Sequence, residues 1–162
     1  GVVEWLVLTK FNVMQSQVIR PMQVADLDVV LTNERRSYSH PWSQGIFENC
    51  LTNESSCWVL EVQESVIGHG ILSVGADEAH LLNVCVLPEY RGKGYGRDLV
   101  EYLIAQARKK AATIMFLEVR ASNQTAYRLY ENLGFNEIGL RPDYYPAYSG
   151  REDALVLAIE LI

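Results

Sequence analysis

Short apolar runs alternate with amphipathic stretches along the chain, and the alternation predicts an ordered series of elements. Val18-Ile19-Arg20, just ahead of Pro21, reads as a first strand, and Ala25 to Ser37 as a helix capped around Asp26. Ser43 is placed to cap a second helix whose Ile46, Phe47, Cys50 and Leu51 fall on one face as core positions. Trp58 to Val62 and Val66 to Val74, joined by a polar turn at Gln63 to Ser65, predict a hairpin leading through Gly75 to Glu78 into a strand that ends at Val86. Leu99, Val100, Leu103, Ile104 and Ala107 then recur at helical spacing, from a start near Gly96 to a basic end at Lys109-Lys110. Thr113 to Val119 reads as a buried strand, and Ser122-Asn123-Gln124 opens a helix over Ala126 to Leu133 that Gly134 ends. Two terminal strands flank a loop at Pro142 to Tyr148. Strand, two helices, three strands, helix, strand, helix and two strands make one α/β domain.

Composition narrows the class. The chain has 162 residues, 49% of them hydrophobic, enough to bury a core without disulfides or metals as staples. A net charge of −6 offers no general attraction to nucleic acid or an anionic membrane surface, so an anionic cofactor must be held by local N–H groups and a few cations. Cys50, Cys57 and Cys85 are an odd number, without a Cys-x-x-Cys pair or a nearby histidine cluster. They read as buried, reduced thiols of a cytoplasmic protein, with no metal site. Val2 to Leu8 is apolar but far too short to span a bilayer, and Glu4 interrupts it. Residues 1–13 read equally as an upstream extension or as an extra edge strand, ahead of a domain over residues 14–162.

The strongest local signal is Arg91-Gly92-Lys93-Gly94-Tyr95-Gly96, three glycines between a strand and a helix N-terminus. Such a turn aims unpaired N–H groups and the positive end of the helix dipole at a ligand, and a phosphate or pyrophosphate is the expected guest. A nucleoside triphosphate loop would end in Gly-Lys-Ser/Thr, which Tyr95-Gly96-Arg97-Asp98 does not supply. A dinucleotide fingerprint needs a third glycine where Arg97 or Leu99 stands. The pattern Arg/Gln-x-x-Gly-x-Gly/Ala is met by Arg91, Gly94 and Gly96. It resembles the coenzyme A pyrophosphate loop of the GNAT superfamily of N-acetyltransferases. An ordinary glycine-rich turn is the plain alternative.

Further blocks extend the resemblance from about Val18 to the C-terminus. Leu117-Glu118-Val119-Arg120-Ala121-Ser122-Asn123, Ala126, Leu129-Tyr130-Glu131, Leu133-Gly134-Phe135, Tyr144-Tyr145-Pro146 and Gly150-Arg151-Glu152-Asp153-Ala154 are similar to the bacterial ribosomal-protein-alanine N-acetyltransferases within that superfamily. The resemblance implies a single GNAT-type α/β domain, with a mixed central sheet of about six to seven strands and helices on both faces. It implies Glu118 as general base and Tyr130 as general acid. Contacts to acetyl-CoA fall by the same resemblance on Val84, Cys85 and Val86, on Gly92, Lys93, Gly94, Tyr95, Gly96 and Arg97, and on Asn123. The implied acceptor is the N-terminal amine of a ribosomal protein, an alanine on the eighteenth protein of the small subunit, with neither nucleic acid nor membrane as partner. Transfer to a small-molecule amine or a lysine side chain, and a non-catalytic acetyl-CoA-binding module, stay open beside it.

The residue types suit that chemistry. An α-amine with a pKa of about 8 is mostly protonated at neutral pH, and a carboxylate such as Glu118 can remove the proton, directly or through water. A phenol such as Tyr130, protonated at working pH, can donate to a departing thiolate. A backbone N–H of the Val84 to Val86 strand can polarise a thioester carbonyl, while the Cys85 thiol is a spectator. On the bland reading, Glu118 is a salt-bridged edge residue and Tyr130 is core. For the acceptor, Pro142 to Tyr148 together with His40-Pro41-Trp42 is expected to wall a slot for an extended peptide, with Trp42, Tyr144 and Tyr145 as candidate contacts. Plain packing of tyrosines over the end of the sheet is the alternative. Asp143, Glu152 and Asp153 either attract an ammonium group or are solvated, and Arg151 and His40 carry no assignment.

Overall fold

The structure, a computed structural model, describes residues 16–53 and 55–162. The expectations for residues 1–13 lie outside the described residues. Seven strands form one sheet: β1 (Gln17–Pro21), β2 (Ser56–Val62), β3 (Ser65–Gly75), β4 (Glu78–Val86), β5 (Ile114–Arg120), β6 (Asn136–Pro146) and β7 (Arg151–Glu160). Their spatial order is β1-β2-β3-β4-β5-β7-β6. Every neighbouring pair is antiparallel except β4 and β5. The four α-helices are α1 (Leu27–Ser37), α2 (Gln44–Thr52), α3 (Tyr95–Lys109) and α4 (Gln124–Asn132).

The helices divide between the two faces because their apolar stripes do. From α1 and α2, Leu27, Val30, Leu31, Phe47 and Cys50 pack with Cys57, Val59 and Ile71 of the sheet. On the other face Leu99, Leu103 and Ala107 of α3 and Tyr130 of α4 pack with Leu72, Met115, Leu117 and Leu157. Leu99 and Leu103 are fully buried, and each such leucine contributes about 2 kcal/mol of hydrophobic stabilisation.

Three expectations are corrected at this level. The helix expected from Ala25 begins as a 3-10 turn, Val24–Asp26, and becomes α-helical only at Leu27. Asp26 reaches backward, accepting the Gln23 N–H at 2.8 Å and both outer nitrogens of Arg20 at 2.8 Å. The Arg20 guanidinium, against the opposing effect of burial, holds the Asp26 carboxyl below its ordinary value. In α2, Ser43 caps as expected, its Oγ accepting the Ile46 N–H at 3.4 Å, but Ile46 itself is 43% exposed and only Phe47 and Cys50 of that face are fully core. The third correction concerns the loop expected at Pro142 to Tyr148. Most of it is strand, since β6 runs on to Pro146 across a register shift between Arg141 and Tyr145. Asp143, at a φ of 51°, forms the bulge and donates its N–H to Asp153 Oδ1 at 3.0 Å. Pro142 is tolerated because β6 is an edge strand.

One irregularity opens the sheet. Ile71 pairs with Asn83 and Leu72 with Leu81, so Leu82 of β4 is an unpaired bulge residue. Ala79 and Leu81 pack towards α3 before the bulge and Val84 does so after it, while Asn83 and Cys85 turn towards α1. The parallel pairing of β4 with β5 is confined to Glu78–Ile114, Ala79–Met115 and His80–Phe116, and the C-terminal halves of the two strands diverge.

Candidate active site

The divergence leaves a cleft of about 740 Å³. One half of it is built from backbone. β4 ends in a 3-10 turn, Pro88–Tyr90, and the Arg91 side chain closes back on it, its Nε donating to Val86 O at 3.1 Å. Gly92 and Gly94 have φ of 75° and 87°, conformations that side chains rarely adopt, and they steer the chain into α3. Gly94 occupies the N-cap position, where no side chain caps the helix. The first intrahelical bond runs from Asp98 N–H to Gly94 O at 3.0 Å, so the N–H groups of Tyr95, Gly96 and Arg97 precede any intrahelical acceptor. Gly96 is different. Its φ is ordinary, and an added Cβ would meet Leu129 at 3.6 Å and Val86 at 3.9 Å in normal contact, so its missing side chain serves the cleft and not the turn.

Val84, Val86, Gly92, Gly94, Gly96, Arg97 and Asn123 all line this cleft. The Cys85, Lys93 and Tyr95 side chains do not. Cys85 is fully buried with its thiol 3.7 Å from Asn33 O, Lys93 lies over the Tyr90 ring at 5.7 Å, and Tyr95 packs edge-on against Tyr90. Asn123 caps α4, its Oδ1 accepting the Ala126 N–H at 3.1 Å. Uncapped N–H groups, two left-handed glycines and the end of β4 lining the cleft fit a cofactor that combines a pyrophosphate with an extended amide-bearing arm.

The other half is built from side chains. Met115, Leu117 and Val119 of β5 pack towards α3 and α4, which leaves Glu118 on the opposite face. Its Oε2 lies 2.6 Å from His80 Nε2 and its Oε1 3.5 Å from Arg141 Nε. Tyr130 comes from α4, on the other side of the sheet, and both side chains line the cleft through the gap between β4 and β5. Burial pushes the Tyr130 phenol well above its ordinary value, so it stays protonated at any working pH. Tyr145 lines the cleft too, and burial together with the Glu118 charge pushes it up to about 12. Arg120 stacks on the Tyr145 ring at 4.5 Å while donating to Pro146 O at 2.6 Å and to Glu152 at 2.9 Å.

Trp42 lines the cleft as expected, its N–H donating to Glu34 Oε2 at 2.9 Å. Tyr144 does not. It is 44% exposed, beneath the Arg141 guanidinium and edge-on to Tyr145 at 4.9 Å. Glu152 and Asp153 are engaged inside the fold, by Arg120 and by the Asp143 N–H. Arg151 donates to Asp143 O and Tyr144 O, closing the β6–β7 turn, and His40 lines the cleft.

The sequence profile of the acetyltransferase (GNAT) family matches residues 24–135. The chain belongs to the GNAT family. It is an acetyl-CoA-dependent N-acetyltransferase with that family's single mixed-sheet domain. Ribosomal protein bS18-alanine N-acetyltransferase of Escherichia coli (strain K12) is 38% identical over 143 residues, covering 88% of this chain and 97% of that protein. The crystal structure of the Escherichia coli ribosomal-protein-S18-alanine N-acetyltransferase superposes with a TM-score of 0.85 at 37% identity, over 90% of this chain and 94% of that one. yncA from Salmonella typhimurium, solved with its cofactor acetyl-CoA, shares the fold at a TM-score of 0.75 and 20% identity, over 91% and 95% of the two chains.

Several groups around this GNAT cleft escaped the sequence reading. Glu34, buried on α1, accepts from His69 Nε2 at 3.0 Å, from Asn83 Nδ2 at 3.2 Å to each oxygen, and from the Trp42 N–H. Burial works against a charged His69, but Cys85 and Glu34 beside it outweigh that and lift it to about 9. Glu34, His69 and Cys85 have the donor types of a metal site within 4.8 Å of one another, yet the Glu34 oxygens are committed to N–H donors. The Tyr38 hydroxyl donates to Val84 O, fixing the end of α1 against β4. The available signal was polarity out of place: His69, His80 and Asn83 stand in otherwise apolar strands.

Proposed function

We propose that this GNAT enzyme is an Nα-acetyltransferase acting on a protein N-terminus, with the N-terminal alanine of ribosomal protein bS18 as its acceptor in the cytoplasm. The observation that carries the chemistry is the convergence of Glu118 and Tyr130 from opposite faces of the sheet on one cleft. Support for the acceptor comes from the bS18-alanine N-acetyltransferase at 38% identity and from an aromatic wall, Trp42 and Tyr145, suited to an extended chain end.

Bound acetyl-CoA would supply an activated acetyl thioester. The N–H groups of Gly94 to Arg97 and the Arg97 guanidinium would hold its pyrophosphate, while the edge of β4 around Val84 to Val86 that faces the gap to β5, its other edge being paired with β3, would pair with the amides of its arm. A β4 N–H would hydrogen-bond the thioester oxygen. Glu118 takes a proton from the α-ammonium, directly or through one water, and frees the nitrogen lone pair for attack. Tyr130 Oη then delivers its proton to the leaving sulfur. No side chain of the enzyme needs to be acylated.

The test is to incubate the protein and acetyl-CoA with a peptide that begins with alanine and contains an internal lysine, alongside the same peptide with its N-terminus blocked, and to map the acetyl group by mass spectrometry. Acetylation on the α-amine of the first and none on the second is expected. Modification of the lysine, or preference for a polyamine or aminoglycoside, would overturn the proposal.

A further inference from the structure

We infer that His80 is the positioning residue of the base, fixing which Glu118 oxygen receives the amine proton. The inference rests on the assignment of Glu118 made above.

The Glu118 carboxylate is only 11% exposed and has two unequal partners. An ionised carboxylate can only accept, so the 2.6 Å contact is His80 Nε2–H donating to Oε2. Arg141 reaches Oε1 at 3.5 Å from an edge strand, with its own side chain 55% exposed. The short contact belongs to the rigid part of the site. His80 lies in the stretch of β4 still paired with β5, directly opposite Phe116 and one strand from Ser73. Its ring also borders a shallow surface pocket of about 230 Å³ with Glu78 and Phe116. The longer contact comes from Arg141, which sits just before the register shift in β6.

This asymmetry divides the work of the carboxylate. His80 occupies Oε2 and sets the torsion of the side chain, so that Oε1 is the oxygen left to an incoming ammonium, which displaces the weaker Arg141 contact. The proton passes from the amine nitrogen to Oε1, the carboxylate becomes a carboxylic acid, and the Nε2–H to Oε2 bond is unchanged by the transfer. A base held in this way keeps its near-attack geometry through the step, and misplacement by about 1 Å is enough to cost up to 10²-fold in rate.

The experiment uses the full chain with an alanine-initiated peptide. It measures kcat, KM, acetyl-CoA affinity and Tm for His80→Phe, which keeps a ring beside Phe116 without a donor, and for His80→Gln, which keeps an N–H donor. His80→Phe is expected to lower kcat about tenfold or more with KM, acetyl-CoA affinity and Tm near wild type, and His80→Gln to recover most of the loss. In a Glu118→Gln background, His80→Phe is expected to have no further effect. Wild-type kcat in His80→Phe beside an impaired Glu118→Gln, equal losses in the Phe and Gln variants, or an undiminished loss in the Glu118→Gln background would overturn the inference alone. Wild-type rates in Glu118→Gln would overturn the base assignment and the inference with it.

Discussion

The two halves of the cleft are made from different material. The half proposed for the cofactor consists of N–H groups, glycines and a strand edge, placed by the start of α3 and the end of β4. The half proposed for the acceptor consists of long side chains from β5, β6 and the α1–α2 connection, each held by another side chain: Glu118 by His80, Tyr145 by Arg120, Trp42 by Phe47. Backbone sites are tuned by what is missing at Gly92, Gly94 and Gly96. Side-chain sites are tuned by who holds whom. A change in the first half is therefore expected to act on cofactor binding, and a change in the second on rate or acceptor affinity.

The largest effect expected is on the backbone half. Gly96→Val adds a side chain that the fold accommodates, because its Cβ makes only ordinary contacts, while its branches enter the cleft. Acetyl-CoA is expected to raise Tm in the wild type, and that shift is expected to disappear in the variant with its unliganded Tm preserved. A retained shift would break the distinction between the halves.

Next in size is Tyr130→Phe. The ring stays packed against Phe135, 5.6 Å away, and only the buried hydroxyl is lost. Product formation in a single turnover is expected to drop by about 10²-fold with Tm and acetyl-CoA affinity nearly unchanged. Normal turnover would return Tyr130 to the core.

Arg120→Ala should act on acceptor binding alone. It releases the Tyr145 ring, Pro146 O and Glu152 together, so peptide KM is expected to rise about tenfold, roughly the equivalent of one lost charge-assisted hydrogen bond, with acetyl-CoA affinity unaltered. A parallel loss of acetyl-CoA affinity would show that the halves are coupled.

The smallest effect is one of stability. His69 is lifted from 6.5 to about 9 in the folded protein, which favours its charged form there. Its contribution is present in full below about pH 6.5, where the unfolded chain is also protonated, and is lost as pH rises through about 9. Thermal scans between those values should show a falling Tm in the wild type and a flatter profile in His69→Gln.

How much of this was legible in the sequence follows the same division. The first five strands and the four α-helices have patterns that announce them, because alternation, helical spacing and caps such as Ser43 act over a few residues. The glycine loop was readable for the same reason. Beyond reach were the partnerships, since His80 with Glu118 spans 38 residues and Glu34 with His69 spans 35. Pro142 hid the length of β6, because a proline that would end a central strand is harmless on an edge one. The bulge at Leu82 left no mark either: Leu81-Leu82-Asn83 looks like any strand until its neighbour fixes the register.

The central claim is that Glu118 removes the proton from the acceptor amine, and the single-turnover rate of Glu118→Gln with an alanine-initiated peptide tests it most directly. The amide keeps the size of the carboxylate and can still accept a hydrogen bond from His80, but it cannot take a proton. The account predicts a rate lower by about 10²-fold or more, with acetyl-CoA affinity unchanged. A rate near that of the wild type would contradict it.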